Sequence, residues 1–163
     1  MHILIKNKFL TYGNYKVKCA IGKRGISKKR KEGDLITPKG IYNIKKLFYR
    51  KDRVKSLKTK LKKYIIDKNF GWCDDPKSKK YNQFIRHPFN YSYEKLYRKD
   101  RLYDIILVLS YNMNPVRKNM GSAIFLHITK NNYSHTKGCI AIKKRELRKL
   151  IQRINKNTKV KIS

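Results

Sequence analysis

The sequence predicts a mainly β domain of the α+β kind, a single mixed sheet or sandwich with short helices spanning residues 1–163. Three observations point there. Tyr15, Val17, Cys19 and Ile21 alternate with Lys16, Lys18 and Ala20, the period of two of a half-buried strand. Ile105, Ile106, Leu107, Val108 and Leu109 form a short unbroken apolar run, suited to a central strand buried on both faces. Clear helical spacing occurs late in the chain, where Leu147, Leu150, Ile151 and Ile154 recur with Lys and Arg between them.

Taken in order, Ile3 to Ile5 makes a first strand, and Gly13-Asn14 turns the chain into the alternating segment. Residues 22–40, punctuated by Gly, Ser and Asp and ending in Thr37-Pro38-Lys39-Gly40, read as a long turn-rich connection. Strand character returns from Ile41 to Tyr49. Residues 50–63 are strongly basic, with Leu57, Leu61 and Tyr64 marking a weak helical face. Residues 67–100 carry Trp72, two prolines and several tyrosines without periodicity, and read as an aromatic-rich excursion of the functional-loop kind. A polar loop, 111–120, leads to a second apolar run from Ala123 to Ile128. A third, Ile140 to Ile142, precedes the amphipathic helix, and Val160 and Ile162 make a last strand. No internal repeat or domain linker interrupts the pattern.

Composition excludes several classes of function. Cys19, Cys73 and Cys139 show no CxxC spacing and no clustered histidines, which argues against a zinc site, and so sparse a set gives no disulfide framework. No segment approaches the roughly 20 apolar residues that span a bilayer. The start, MHILIKNKFL, is a poor secretory signal, and the expectation from it is a cytoplasmic protein. Forty-three Lys and Arg against 10 Asp and Glu give a net charge of +33. That charge fits a polyanionic partner. It fits equally a compositional bias toward Lys, Ile, Asn and Tyr, whose codons are AT-rich, because the lysines are scattered over the whole length.

The chemistry concentrates in GSAIFLHITKNNYSHTKGCIAI, residues 121–142. Two strand-like runs joined by a polar loop bring a thiol, Cys139, near an imidazole, His127. A thiol attacks only as thiolate, and a neighbouring imidazole is the usual means of producing one. Gly138 allows a tight turn and a close approach to a substrate carbonyl, and the N–H groups of Gly138 and Cys139 are candidates for an oxyanion hole. His135 is nearer in sequence but sits in the loop. The competing reading of Cys139 is a buried inert thiol.

FLHI, a short loop and TKGCIAI together resemble the signature of the L,D-transpeptidase (YkuD-type) catalytic domain, in its compact single-domain subgroup. The similarity extends to Cys19-Ala-Ile-Gly, Glu32-Gly33-Asp34, Thr37-Pro38-Lys39-Gly40, Trp72-Cys-Asp-Asp-Pro76, Tyr81-Asn82, Tyr103-Asp104 and Tyr111-Asn112. The resemblance implies that Cys139 is an acyl-accepting nucleophile, His127 its general base and Gly138 the motif glycine beside the oxyanion. It implies acyl transfer on peptidoglycan stem peptides without a cofactor, with an L,D-carboxypeptidase as the hydrolytic alternative. A basic polyanion-binding protein with a structural Cys139 is the rival from another class.

The chain also departs from the common family pattern. Lys137 replaces the histidine before Gly138, and Ala141 stands where an arginine is usual. Lys137, Lys143 or Arg86 are then candidates to hold a substrate carboxylate. Trp72, Tyr111 and His135 are candidates to line the groove. The family's chemistry implies the cell envelope, against the cytoplasmic expectation from the N-terminus.

Overall fold

The computed structural model describes residues 1–163. The strands β1 (His2–Lys6), β2 (Phe9–Tyr12) and β3 (Tyr15–Lys18) form an antiparallel meander. A two-residue parallel pair, β4 (Ile26–Ser27) with β5 (Thr37–Pro38), braces the long connection that follows. The long strand β6 (Gly40–Tyr49) then divides its length between partners. Its first half pairs antiparallel with β14 (Lys159–Ile162) and its last residues pair parallel with β7 (Lys63–Ile65). A second sheet, antiparallel in the order β10-β8-β9, consists of β8 (Phe70–Cys73), β9 (Phe84–Arg86) and β10 (Tyr93–Lys95). After a 3-10 turn at Arg101–Tyr103 come β11 (Ile105–Leu109), β12 (Phe125–Ile128), β13 (Ile140–Ile142) and the one α-helix, α1 (Lys144–Arg153). No helix is long and apolar enough to cross a membrane.

The main sheet runs β13-β12-β11-β6-β14-β1-β2-β3 and nearly closes on itself. Just past β3, Ala20 and Ala141 exchange backbone hydrogen bonds of 2.8 and 2.9 Å, which ties the far edge of the meander to β13. Closure of this kind protects edges that would otherwise pair with other chains.

Side-chain alternation divides the core in two. From β11, Ile105, Leu107 and Leu109 enter a large cluster that also holds Leu126, Ile128, Ile140, Ile142 and the helix residues Leu147, Leu150, Ile151 and Ile154. Ile106 and Val108 point the other way, into a second cluster with Phe48, Phe70, Trp72, Leu96, Tyr103 and Phe125, roofed by the second sheet. Full burial of each aliphatic side chain contributes roughly 1.5–3 kcal/mol, and α1, basic on its outer side, stays folded through its apolar face.

Two expectations fail. Residues 50–63 form no helix. Val54 and Leu57 plug the main core from an irregular segment. Arg50, itself buried, ties that segment down through Asp52 (2.8 and 2.6 Å) and the Arg98 carbonyl (3.0 Å). The excursion at 67–100 is not loop alone but the three-stranded roof, whose strands of three or four residues are too short to show a period.

Asp104, directly after the 3-10 turn, is 1% exposed and receives Arg53 (3.2 Å) and Lys144 (3.0 Å). It thereby joins the turn, the 50–54 segment and the start of α1. Asp104→Ala strips the shared partner from two cations. It should lower unfolding free energy by about 2–4 kcal/mol in urea titration. A change under about 0.5 kcal/mol would show that this junction is not structural.

Candidate active site

The site lies on the face of the main sheet that the second sheet covers. Strands β12 and β13 run parallel with Leu126 beside Ile140 and His127 beside Ala141. Cys139, one residue before β13, therefore falls next to Phe125, on the same face as His127 and diagonal to it. The Phe125 N–H donates to its Sγ (3.4 Å) and the thiol donates to the Ala123 carbonyl (3.1 Å). At rest the thiol proton points to the backbone and not to the imidazole. His127, 7% exposed, has Nδ1 2.9 Å from the Ile128 carbonyl oxygen. A carbonyl can only accept, so this bond assigns the proton to Nδ1 and leaves Nε2 as the basic nitrogen.

Gly138 serves by its backbone. Its φ of +141° is a glycine conformation, and a Cβ there would stand 2.8 Å from the Ile36 carbonyl oxygen. Its N–H is not free for an oxyanion, because it donates to Thr136 Oγ1 (3.1 Å), whose hydroxyl in turn donates to the Cys139 carbonyl (2.6 Å). The Cys139 N–H enters none of the turn and loop hydrogen bonds.

Electrostatics keeps both reactive groups neutral. Burial pushes the Cys139 thiol up to about 12, with the Glu94 charge adding to the rise and the Phe125 N–H and Lys29 opposing it. Burial also draws His127 down to about 4, against the pull of the Ile128 and Leu102 carbonyls. The expected thiolate–imidazolium pair is therefore not the resting state.

A polar scaffold holds the Ala123 carbonyl that accepts from the thiol. Ala123 itself is left-handed, at φ +51°, an uncommon conformation for a residue with a Cβ. Asn82 over-determines it. The Asn82 Oδ1 accepts from Trp72 Nε1 (3.0 Å) and from the Ala123 N–H (3.1 Å). Its Nδ2 donates to the carbonyls of Tyr111 (3.0 Å) and Asn112 (2.7 Å). Asn112 spans the 112–121 loop through Arg117 and Gly121, and the Tyr81 hydroxyl accepts from the Gly121 N–H at 2.9 Å.

The remaining sequence candidates separate. Trp72 is buried, edge-on to Phe125 at 5.5 Å, and acts as packing and as a donor to Asn82. Tyr111 is half-buried and committed by its hydroxyl to the Met120 carbonyl. Lys137 is exposed and within electrostatic reach of Glu94. His135 is exposed in the loop, and Lys143, also exposed, lies over Tyr133. Arg86 is exposed on β9, held by Asn69 and stacked on Phe70 at 4.5 Å, so its guanidinium is engaged away from the thiol. Sequence reading missed Glu94, Arg98 and Lys29. Lys29 is a buried ammonium paired with Asp34, and nothing distinguishes it among 43 basic residues before folding. No group of three or more His, Cys, Asp or Glu is assembled as a metal site.

Asn82→Ala would leave two buried donors and two carbonyls without their partner. Unfolding free energy should fall by about 2–4 kcal/mol in denaturant titration. Unchanged stability would mean that the 111–123 segment is held by other contacts.

Comparison with known proteins bears on the fold and the family. No curated protein matches the sequence. Among solved structures, the helical cell shape determining protein Pgp2 from Campylobacter jejuni shares the fold, with a TM-score of 0.53 and 16% identity over 99% of this chain. The chain spans about half the length of that structure, 46% of it. The family model for the L,D-transpeptidase catalytic domain (YkuD) matches residues 3–162, and the chain belongs to that family.

Proposed function

We propose that the protein is a cysteine acyltransferase acting on peptidoglycan stem peptides, an L,D-transpeptidase with Cys139 as nucleophile and His127 as general base. The observation that carries this reading is the placement of a thiol and a neutral, basic imidazole on one face of adjacent parallel strands. Family membership supports the substrate class, since the matching domain is one that modifies peptidoglycan.

The reaction starts from neutral partners. A bound carbonyl displaces the thiol from Ala123. Sγ attacks the carbonyl carbon while its proton passes to His127 Nε2. Forming the imidazolium only as the C–S bond forms spares the site a standing buried ion pair, which desolvation would penalise. The Ile128 and Leu102 carbonyls favour the charged ring as it appears. The Cys139 N–H, which enters none of the turn and loop hydrogen bonds, is the backbone donor left to serve the developing oxyanion, and the Thr136 hydroxyl bridge fixes the backbone on either side of it. Collapse breaks the C–N bond, and the imidazolium returns the proton to the leaving amine. An acceptor amine then attacks the thioester, losing its proton to His127, and the thiol is regenerated. Water in place of the amine gives carboxypeptidase activity. That second outcome uses the same residues and is separated by supplying or omitting an amine acceptor.

Incubation with a carbapenem, followed by intact mass and peptide mapping, should show one covalent adduct on Cys139, absent in Cys139→Ala. His127→Ala should slow its formation by roughly 10²–10⁴-fold. No adduct under conditions where Cys139 still reacts with a simple alkylating agent would defeat the proposal.

The neutral resting pair makes a separate prediction. With the thiol near 12, the thiolate fraction keeps rising through the whole accessible range. Alkylation of Cys139 by iodoacetamide should climb about tenfold per pH unit from 7 to 10, without a plateau. A plateau below pH 8 would indicate a preformed thiolate–imidazolium pair instead.

A further inference from the structure

The roof covers only part of the main sheet. No residue of β14, β1, β2 or β3 enters the second core cluster, whereas Ile3, Ile5, Leu10, Val160 and Ile162 turn inward to the first. The opposite side of these four strands carries no second layer. Alternation puts Lys159 and Lys161 of β14, Lys6 of β1, and Lys16 and Lys18 of β3 on that bare side, and all five are exposed. None of them is paired with a carboxylate.

The strand register interleaves three apolar side chains with these lysines. Leu4 stands between Lys161 and Thr11, Ile41 lies on the other side of Lys161, and Phe9 is opposite both Lys6 and Lys18. Leu4 and Phe9 are diagonal neighbours across β1 and β2, within side-chain reach. Phe9 is 41% exposed and Ile41 57%, and Leu4 belongs to neither core cluster. The lysine stems can lie along this apolar surface while their ammonium groups reach outward.

Sidedness separates this face from a bias in composition. The chain has no Asp or Glu before Glu32 and none after Glu146, and the pairing of β14 with β1 brings these two acid-free stretches together. Asp67, Asp74, Asp75, Glu94 and Asp100 lie in or beside the roof. Codon bias raises lysine everywhere but gives no reason for acids to gather on one side.

We infer that this open face docks on an anionic lipid bilayer, with Leu4, Phe9 and Ile41 entering the headgroup region and the lysines pairing with lipid phosphates. Charge complementarity selects an anionic partner, and the apolar side chains select a lipid surface over a wholly polar polymer. A second copy of the chain would bring lysine against lysine. A single-stranded nucleic acid would need aromatic faces on which to stack its bases. The face offers one ring, Phe9, and the Lys16 ammonium already stands over it at 4.8 Å. Docking here is independent of the chemistry at Cys139.

The test is co-sedimentation of the full chain at physiological salt with mixed phosphatidylglycerol–phosphatidylcholine vesicles and with pure phosphatidylcholine vesicles. The protein should bind the anionic vesicles and not the neutral ones. Lys6→Glu, Lys16→Glu and Lys161→Glu combined should weaken binding at least about 100-fold. The same charge change at Lys55, Lys58 and Lys60, exposed residues outside this face, should cost less than about tenfold. Phe9→Ser with Ile41→Ser leaves the charge intact and should weaken binding at least about tenfold. Every substituted side chain is exposed, and an unchanged thermal unfolding curve checks that each variant is folded. No binding to anionic vesicles, equal losses from the two triple variants, or indifference to the serine pair would overturn the inference. Tighter binding of a single-stranded oligonucleotide, lost in Phe9→Ser, would assign the face to nucleic acid and overturn it equally.

Discussion

The parallel register of β12 against β13 is the constraint on which the site depends. With Leu126 beside Ile140 and His127 beside Ala141, even-numbered residues of both strands enter the main core, and odd-numbered ones face the roof. A slip of one residue in either strand would send an isoleucine into the cleft and bury either the imidazole or the thiol among aliphatic side chains. The burial of Leu126, Ile128, Ile140 and Ile142, together with the helix residues stacked on them, therefore does more than stabilise the fold. It is what places His127 and Cys139 on one surface. The bridge between Ala20 and Ala141 reinforces the register from the other side, because β13 is held by β12 on one edge and by the incoming meander on the other.

A second layer of control acts on the backbone beside the sulfur. The left-handed Ala123 turns its N–H to Asn82 and its carbonyl to the Cys139 thiol. That conformation costs of order 1–3 kcal/mol and persists only if its surroundings require it. Asn82, with both ends of its amide doubly used, ties the Ala123 N–H to Trp72 and to the loop at Tyr111 and Asn112. The same logic governs the roof. Arg50 stacks on Tyr97 at 3.5 Å and bonds to the Arg98 carbonyl, fixing the strand exit that carries Glu94 and Arg98 over the site.

Legibility in the sequence followed the physics of each element. The central strand, the alternating third strand and the amphipathic helix were readable because burial there is periodic, and their order implied one mainly β domain. The closeness of Cys139 to His127 was readable because one lies in an apolar run and the other directly before the next, on either side of a polar loop, and because the surrounding motifs resemble a known family. Glycine, asparagine and aspartate in those motifs could be quoted but not interpreted. Only the fold shows that Asn82 serves four partners, or that Asp104 joins three segments. The roof strands were illegible because three or four residues cannot display a period. Residues 50–63 misled because Leu57, Leu61 and Tyr64 match helical spacing, whereas Val54 and Leu57 are buried from an irregular backbone. Long-range charge relations, such as Glu94 with Cys139 or Lys29 with Asp34, leave no local trace at all.

The electrostatic design that emerges differs from one in which a cysteine is kept permanently ionised. Lys29 favours the thiolate, Glu94 opposes it, and burial outweighs both. A neutral thiol bonded to a backbone carbonyl reacts slowly with stray electrophiles, since reactivity follows the thiolate fraction. On the proposed reading, activation waits for a substrate carbonyl that displaces the thiol from Ala123, so that sulfur and imidazole become charged only while the C–S bond forms and no buried ion pair has to be held at rest.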